Sequence, residues 1–161
     1  MVSSDGRVRH KILDSTMNSE RYLQILNEIV LPLMTSNRYN QHLFMQDGAP
    51  VHCSVNVRKN LNEKLADSWI GRSGPIEWPP RSPDLTLCDF WLRSYMRDFV
   101  FKHPSPTNLE ELITRSEQIF SSLQMDMIRK TFKSFVKRCK LCVEHNGEHF
   151  ESFNYFILSI F

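Results

Sequence analysis

Residues 71–84 hold two glycines and four prolines, Gly71, Gly74, Pro75, Pro79, Pro80 and Pro83, and no other stretch restricts the fold so strongly. Proline lacks the amide hydrogen that a helix interior or an inner strand requires, and its ring clashes with the preceding turn. The stretch is therefore excluded from regular helix and is expected to form an extended loop or an edge strand. A helix is expected to resume at Thr86.

The flanking segments carry regular patterns. Asp5-Gly6 is a hairpin dipeptide between two short segments, the second continuing through Lys11-Ile12-Leu13, which predicts two antiparallel strands. Tyr22, Leu26, Ile29, Val30 and Leu33 recur at helical spacing behind Asn18, an N-cap residue type. Leu43-Phe44-Met45, at the centre of residues 42–46, reads as a buried strand that ends at Asp47, because Gly48 and Pro50 stop it. Val57, Leu61 and Leu65 predict a helix capped by Ser54, and Trp69-Ile70 begin another strand.

Beyond the proline-rich stretch, Thr107-x-x-Glu110 has the form of a capping box. It precedes a helix whose apolar positions are Leu109, Leu112, Ile113, Phe120 and Leu123. A further helix over 125–143 places Ile128, Phe132, Phe135 and Cys139 on one stripe and Lys130, Lys133, Lys137 and Lys140 on another. A basic helix face of this kind is expected to be solvated, with contact to DNA as the alternative. Strands and helices in this order predict an α/β domain, a mixed sheet with flanking helices, in which functional groups sit at strand ends and adjoining loops.

A length of 161 residues with 41% hydrophobic and 24% charged content suits one globular domain. The net charge of +2 makes any case for a nucleic-acid partner depend on where the basic residues fall. Four cysteines, with no signal-type segment at the start, predict free thiols in a reducing, intracellular setting. The longest apolar run, Phe156-Ile157-Leu158 followed by Ser159-Ile160-Phe161, falls far short of the about 20 residues that span a bilayer, so no membrane partner is expected.

Two carboxylates stand out. Asp47 should leave the end of the 42–46 strand at a loop-lined edge, and Asp89 follows Thr86 in a Thr-x-x-Asp pattern that puts it in the first turn of a helix, where the dipole favours an ionised side chain. Rigidly held carboxylate oxygens suit hard divalent cations and the two-metal chemistry of phosphodiesters. Taken alone, each also has a bland reading, Asp47 as a turn former and Asp89 as a cap.

Two blocks supply context. Gln46-Asp47-Gly48-Ala49-Pro50-Val51-His52 and Trp78-Pro79-Pro80-Arg81-Ser82-Pro83-Asp84-Leu85-Thr86-Leu87-Cys88-Asp89-Phe90 resemble the signature blocks of mariner-type transposases of the Tc/mariner superfamily. The resemblance extends over residues 2–151, through Met17-Asn18-Ser19-Glu20-Arg21-Tyr22, Trp69-Ile70-Gly71-Arg72 and Asn146-Gly147-Glu148-His149-Phe150-Glu151. It implies residues 1–151 as the C-terminal part of an RNase H-like catalytic domain, followed by an unmatched hydrophobic tail, 152–161.

The same resemblance implies three acidic residues that bind Mg²⁺ or Mn²⁺ in a two-metal site to cut and rejoin transposon ends. Asp47 matches the second acid and Asp89 the third, while Asp84 matches a loop-shaping position five residues before it. The strand bearing the first acid lies upstream of the matched region, so the domain is expected to be N-terminally truncated, and Asp5 and Asp14 read as turn residues that do not replace that acid. The paired helix-turn-helix modules that read transposon ends are likewise upstream.

Implied with these are DNA as partner, a nuclear location and a homodimer as one permitted assembly. The implied function is a remnant of a cut-and-paste DNA transposase, inactive as this fragment. The alternatives are a host-retained DNA-binding or protein-interaction module without catalysis, or an intact enzyme whose upstream exon supplies the first acid. Leu87, where the family usually has proline, and Arg93-Ser94, where it usually has Trp-Gly, depart from the pattern.

Among other candidates, His52 is expected near a phosphate or a water outside the metal's own ligand set, or in loop packing, and Arg58, Lys59, Arg72 and Arg81 are candidates for backbone-phosphate contacts. Cys139, Cys142, His145 and His149 resemble a zinc list but lack the intervening loop. Buried thiols and a helix-capping role for the histidines are expected instead.

Overall fold

The computed structural model describes residues 1–36, 42–79 and 82–148. The chain divides into two compact units, Ile12–Ser82 and Met1–Lys11 with Pro83–Phe161. The hydrophobic tail proposed for 152–161 lies outside the described residues.

In the unit Ile12–Ser82, α1 (Ser19–Ile25) starts where expected, Asn18 Oδ1 accepting from the Arg21 amide at 2.9 Å. The helix then widens into a π-helical segment, Leu26–Val30, before α2 (Leu31–Met34). Pro32 gives the reason: it offers no amide hydrogen to the carbonyl four residues back and crowds that carbonyl, and the Leu31 amide instead reaches Leu26 O. Leu26, Val30 and Leu31 form the buried side of this helical run.

Strand β1 (Phe44–Met45) pairs parallel with β2 (Trp69–Gly71), and the Gln46 amide extends the ladder by bonding Ile70 O at 3.0 Å. Parallel neighbours need a crossover, which α3 (Val55–Leu65) supplies. Its Ser54 cap accepts from the Val57 amide, and Val57, Leu61 and Leu65 are buried as their spacing predicts. β3 (Ile76–Glu77) completes the order β1-β2-β3 at the sheet edge, so the proline-rich stretch is an edge strand in part. The three described strands pair parallel, where a mixed sheet was expected, and the antiparallel bridge among the described residues, Val2 to Val8, lies in the other unit.

Trp69 organises the sheet. It is 0% exposed, and its indole nitrogen donates to Asn62 Oδ1 at 3.0 Å. A Cβ placed on Gly71 would lie 2.7 Å from the Trp69 ring, and one on Gly74 2.8 Å from it, so the indole occupies space that only hydrogen leaves open.

In the second unit, the Asp5-Gly6 turn forms as expected, with Gly6 at φ 91 and the Ser3 amide bonded to Arg7 O at 2.8 Å. The expected pair of strands reduces to a single antiparallel bridge, Val2 to Val8. A 3-10 turn (Pro83–Leu85) and a π-helical turn (Cys88–Leu92) lead into α4 (Arg93–Val100), α5 (Leu109–Ser122) and α6 (Met125–Glu144). The cap of α5 differs from the Thr107-x-x-Glu110 expectation by one residue. Asn108 Oδ1 accepts from the Glu111 amide at 2.8 Å, and the Glu111 carboxylate accepts from the amide and hydroxyl of Thr107 at 2.8 and 3.0 Å. Thr107 and Asn108 are both good caps, each three residues before a glutamate, so the pattern fits either frame.

Arg115 holds α5 to the end of α4. Its Nη1 donates to the carbonyls of Val100, Lys102 and Pro104, and its Nη2 to Glu111 Oε1 at 2.5 Å. The Thr107 amide and then the Arg115 guanidinium hold the Glu111 carboxyl below its ordinary value of 4.5.

Two outcomes are expected from this packing. Gly71→Ala should lower the unfolding free energy by about 1–3 kcal/mol, the usual cost of overpacking, read from the urea midpoint. Glu111 titrates lower when folded than unfolded, so its contribution is complete above about pH 4.5 and is lost as pH falls through the folded value. The melting temperature of wild type should therefore fall more steeply through this acid range than that of Glu111→Gln, and parallel curves would refute the assignment.

Candidate functional site

Asp47 follows directly on the β1 ladder, as its position before Gly48 and Pro50 predicts. Its Oδ1 accepts from the Ala49 amide at 3.0 Å, a local turn that aspartate favours. The ring Nδ1 of His52 lies 2.5 Å from the same oxygen. With the carboxylate ionised, the Nδ1 hydrogen donates to it, which fixes the imidazole tautomer. The expectation for His52 was a phosphate, a water or the loop. The structure gives it Asp47 itself. The Asp47 side chain remains 36% exposed, so the carboxylate is oriented without being sealed off.

Behind this pair stands a network of residues to which the sequence assigns no role at the site. Gln46 is 5% exposed; its Oε1 accepts from the Tyr22 hydroxyl at 2.9 Å and its Nε2 donates to His52 O at 3.0 Å. The rings of Tyr22 and His52 lie 4.2 Å apart. Burial, reinforced by the negative charge of Asp47, pushes the Tyr22 hydroxyl above its ordinary range, so it stays a donor. The helical spacing of Tyr22 marked it only as an apolar position.

Of the candidate phosphate contacts, Arg58 is half-buried, with Nε enclosed and without a hydrogen-bond partner among the described residues. Lys59 lies 4.0 Å from Glu63 on the exposed face of α3, and Arg72 is exposed. Burial raises the Cys53 thiol, and the positive charges of Arg72 and Arg58 oppose that rise. Arg81 lies outside the described residues. The structure thus brings His52 to Asp47, in the unit that also holds Arg58, Lys59 and Arg72, while Asp89 belongs to the other unit.

Asp89 sits in the first helical turn as expected, its amide bonded to Thr86 O at 2.9 Å. The expected Thr-x-x-Asp box does not form: Thr86 Oγ1 is buried without a hydrogen-bond partner among the described residues. Asp89 pairs instead with Arg93, Oδ1 to Nη2 at 3.1 Å, the carboxylate being 18% exposed and the guanidinium 81%. Arg93 is one of the positions that depart from the family pattern, and at this site it is a counter-ion. Leu87, the other, is 4% exposed and contributes to the apolar interior of its unit.

Asp84 is buried in the 3-10 turn, in keeping with the loop-shaping role expected for it. Its carbonyl accepts from Arg138 Nη1 at 3.0 Å, and the Arg138 guanidinium lies 4.4 Å above the Phe90 ring. This cation from α6 therefore secures the segment that carries Asp89.

The cysteines Cys139 and Cys142 are half-buried free thiols, and burial raises the Cys139 thiol, which disfavours the thiolate a metal needs. The ring Nδ1 of His145 bonds Leu141 O at 2.8 Å at the end of α6, the capping role expected. His149 lies outside the described residues, among which no group of three or more His, Cys, Asp or Glu side chains gathers.

No protein-family model matches the chain. It is 25% identical over 137 residues to the Transposable element Tcb1 transposase of Caenorhabditis briggsae, covering 85% of this chain and 47% of that protein. It is 26% identical over 137 residues to the Transposable element Tc1 transposase of Caenorhabditis elegans, covering 84% and 46%. The chain thus spans about half the length of the curated relatives it matches. Among solved structures, the Mos1 transposase catalytic domain with Raltegravir and Mn superposes with a TM-score of 0.74 at 22% identity, over 92% of this chain and 74% of that one. A pre-cleavage Mos1 transpososome gives 0.75 at 23% identity, over 93% and 44%. The chain is homologous to the Tc1/mariner transposases, and its α/β fold is the RNase H-like fold of the Mos1 catalytic domain.

Proposed function

We propose that the chain is part of the catalytic domain of a cut-and-paste DNA transposase, with Asp47 and Asp89 as divalent-metal ligands. The observation that carries this reading is Asp47 itself, a carboxylate at the end of a parallel strand, oriented by the Ala49 amide and His52 and still open to solvent. Its oxygens suit a hard cation, and the Mos1 catalytic domain has been solved with Mn and with Mg. Bound as a pair, Mg²⁺ or Mn²⁺ would supply the charge that activates an attacking hydroxyl and stabilises a leaving oxygen. His52 acts here as a positioning residue for Asp47, and Asp89 must exchange Arg93 for the metal.

DNA is the proposed partner; the relatives are transposases, and a Mos1 structure is a paired-end complex with a transposon end. A nuclear location follows from a DNA substrate, and a homodimer fits an enzyme that holds two ends. No helix among the described residues is long and apolar enough to cross a membrane. Residues 1–161 match two of the three acids implied by the family, and on that ground they are proposed not to cleave DNA by themselves. One observation favours a second reading, a binding module without catalysis: Arg93 already neutralises Asp89.

Mn²⁺ titration of the purified chain, followed by calorimetry, tests the assignment. Asp47→Asn and Asp89→Asn should each weaken binding about tenfold or more, and His52→Ala by about 10–100-fold, as for other residues that orient a ligand. Arg93→Ala should tighten it about two- to fivefold, the worth of an exposed ion pair. Affinities unchanged in both Asp→Asn variants would refute the ligand assignment. Nicking of DNA by the wild-type chain in Mg²⁺, abolished by chelator and by Asp89→Asn, would refute the proposed inactivity.

A further inference from the structure

We propose that the outward face of α6 is a second contact for DNA, a lysine track that takes the phosphate backbone of a duplex without reading its sequence. Between Asp126 and Glu144 the helix carries six cations, Arg129, Lys130, Lys133, Lys137, Arg138 and Lys140, and no acid. Counting Asp126 and Glu144, α6 carries a net charge of +4, so the net positive excess of a chain whose total is +2 is concentrated on this element.

The packing sorts these cations. Arg138 faces inward to Asp84 O and the Phe90 ring, and Arg129 lies 3.5 Å from Asp126. Lys130, Lys133, Lys137 and Lys140 are all exposed, and none is ion-paired among the described residues. They fall within about 80° of the helix circumference and along about 15 Å of its axis. One DNA strand presents a phosphate every 3.4 Å or so of duplex axis, so this length spans about four phosphates.

The other face of α6 decides against a lipid surface. Ile128 is buried and Phe132, Phe135 and Cys139 are half-buried within their own unit. An interfacial helix needs that apolar face for the acyl boundary. The choice of DNA as the polyanion rests on the function proposed above, whereas the surface itself rests on α6 alone.

The test uses the full 161-residue chain in EDTA, which removes any contribution of metal at Asp47 or Asp89, with two short DNA duplexes of unrelated sequence followed by fluorescence anisotropy. Between 50 and 200 mM salt, wild type should lose about a hundredfold more affinity than the quadruple variant K130Q/K133Q/K137Q/K140Q, and equally for both duplexes. The charge-preserving K130R/K133R/K137R/K140R variant should restore the wild-type salt dependence, which separates lost charge from lost folding. The quadruple Gln variant should bind Mn²⁺ as wild type does, so that failure of the metal assignment and failure of the lysine track give different results. The proposal is overturned by equal salt dependence in wild type and the Gln variant, by no DNA binding in EDTA, or by an RNA duplex or anionic vesicles displacing the DNA preferentially.

Discussion

The amide of Gln46 is the contact on which the Asp47 loop depends. It lies at the end of β1, nearly sealed from solvent, and a buried amide left without partners is costly. Both of its ends are satisfied by elements distant in sequence from one another: the Tyr22 hydroxyl from α1 and the His52 carbonyl from the loop beyond Asp47. The Tyr22 ring then lies against the His52 ring, and His52 turns its Nδ1 to Asp47. Strand, helix and loop thus converge on one carboxylate, and the direction of that carboxylate is set by packing some distance behind it.

The unit containing Asp89 is held differently. Arginines reach across from neighbouring helices to satisfy backbone carbonyls, Arg138 from α6 to Asp84 and Arg115 from α5 to the chain that leaves α4. Asp89 itself is paired with a full positive charge, Arg93, whereas the Ala49 amide and the His52 ring orient Asp47. A cation approaching Asp47 meets an oriented acceptor. One approaching Asp89 must displace a guanidinium whose exposed position makes the pair weak.

Local signals in the chain suffice where a single turn of backbone decides the outcome. Asn18 and Ser54 cap the helices expected of them, and the stripe of Val57, Leu61 and Leu65 is buried. The α5 cap slipped by one residue because Thr107 and Asn108 offer the same chemistry in adjacent frames. The Thr-x-x-Asp pattern places Asp89 in the first turn, but the Thr86 hydroxyl makes no cap bond among the described residues. The π-helical widening at Leu26–Val30 has a visible cause in Pro32, but periodicity over the whole helix masks a local change of pitch.

By itself the sequence determined the placement of the helices, the exclusion of the proline-rich stretch from regular helix and the prominence of Asp47 and Asp89, because caps, prolines and apolar periods act within a few residues. Only the tertiary structure decided what each carboxylate touches. That His52 turns to Asp47, that Gln46 and Tyr22 stand behind it, that Arg138 faces inward while four lysines on the same helix face outward, all depend on contacts between elements. Apolar spacing marks which face of a helix turns inward, but not which side chains of another element that face meets, and those partners are fixed only when the elements pack.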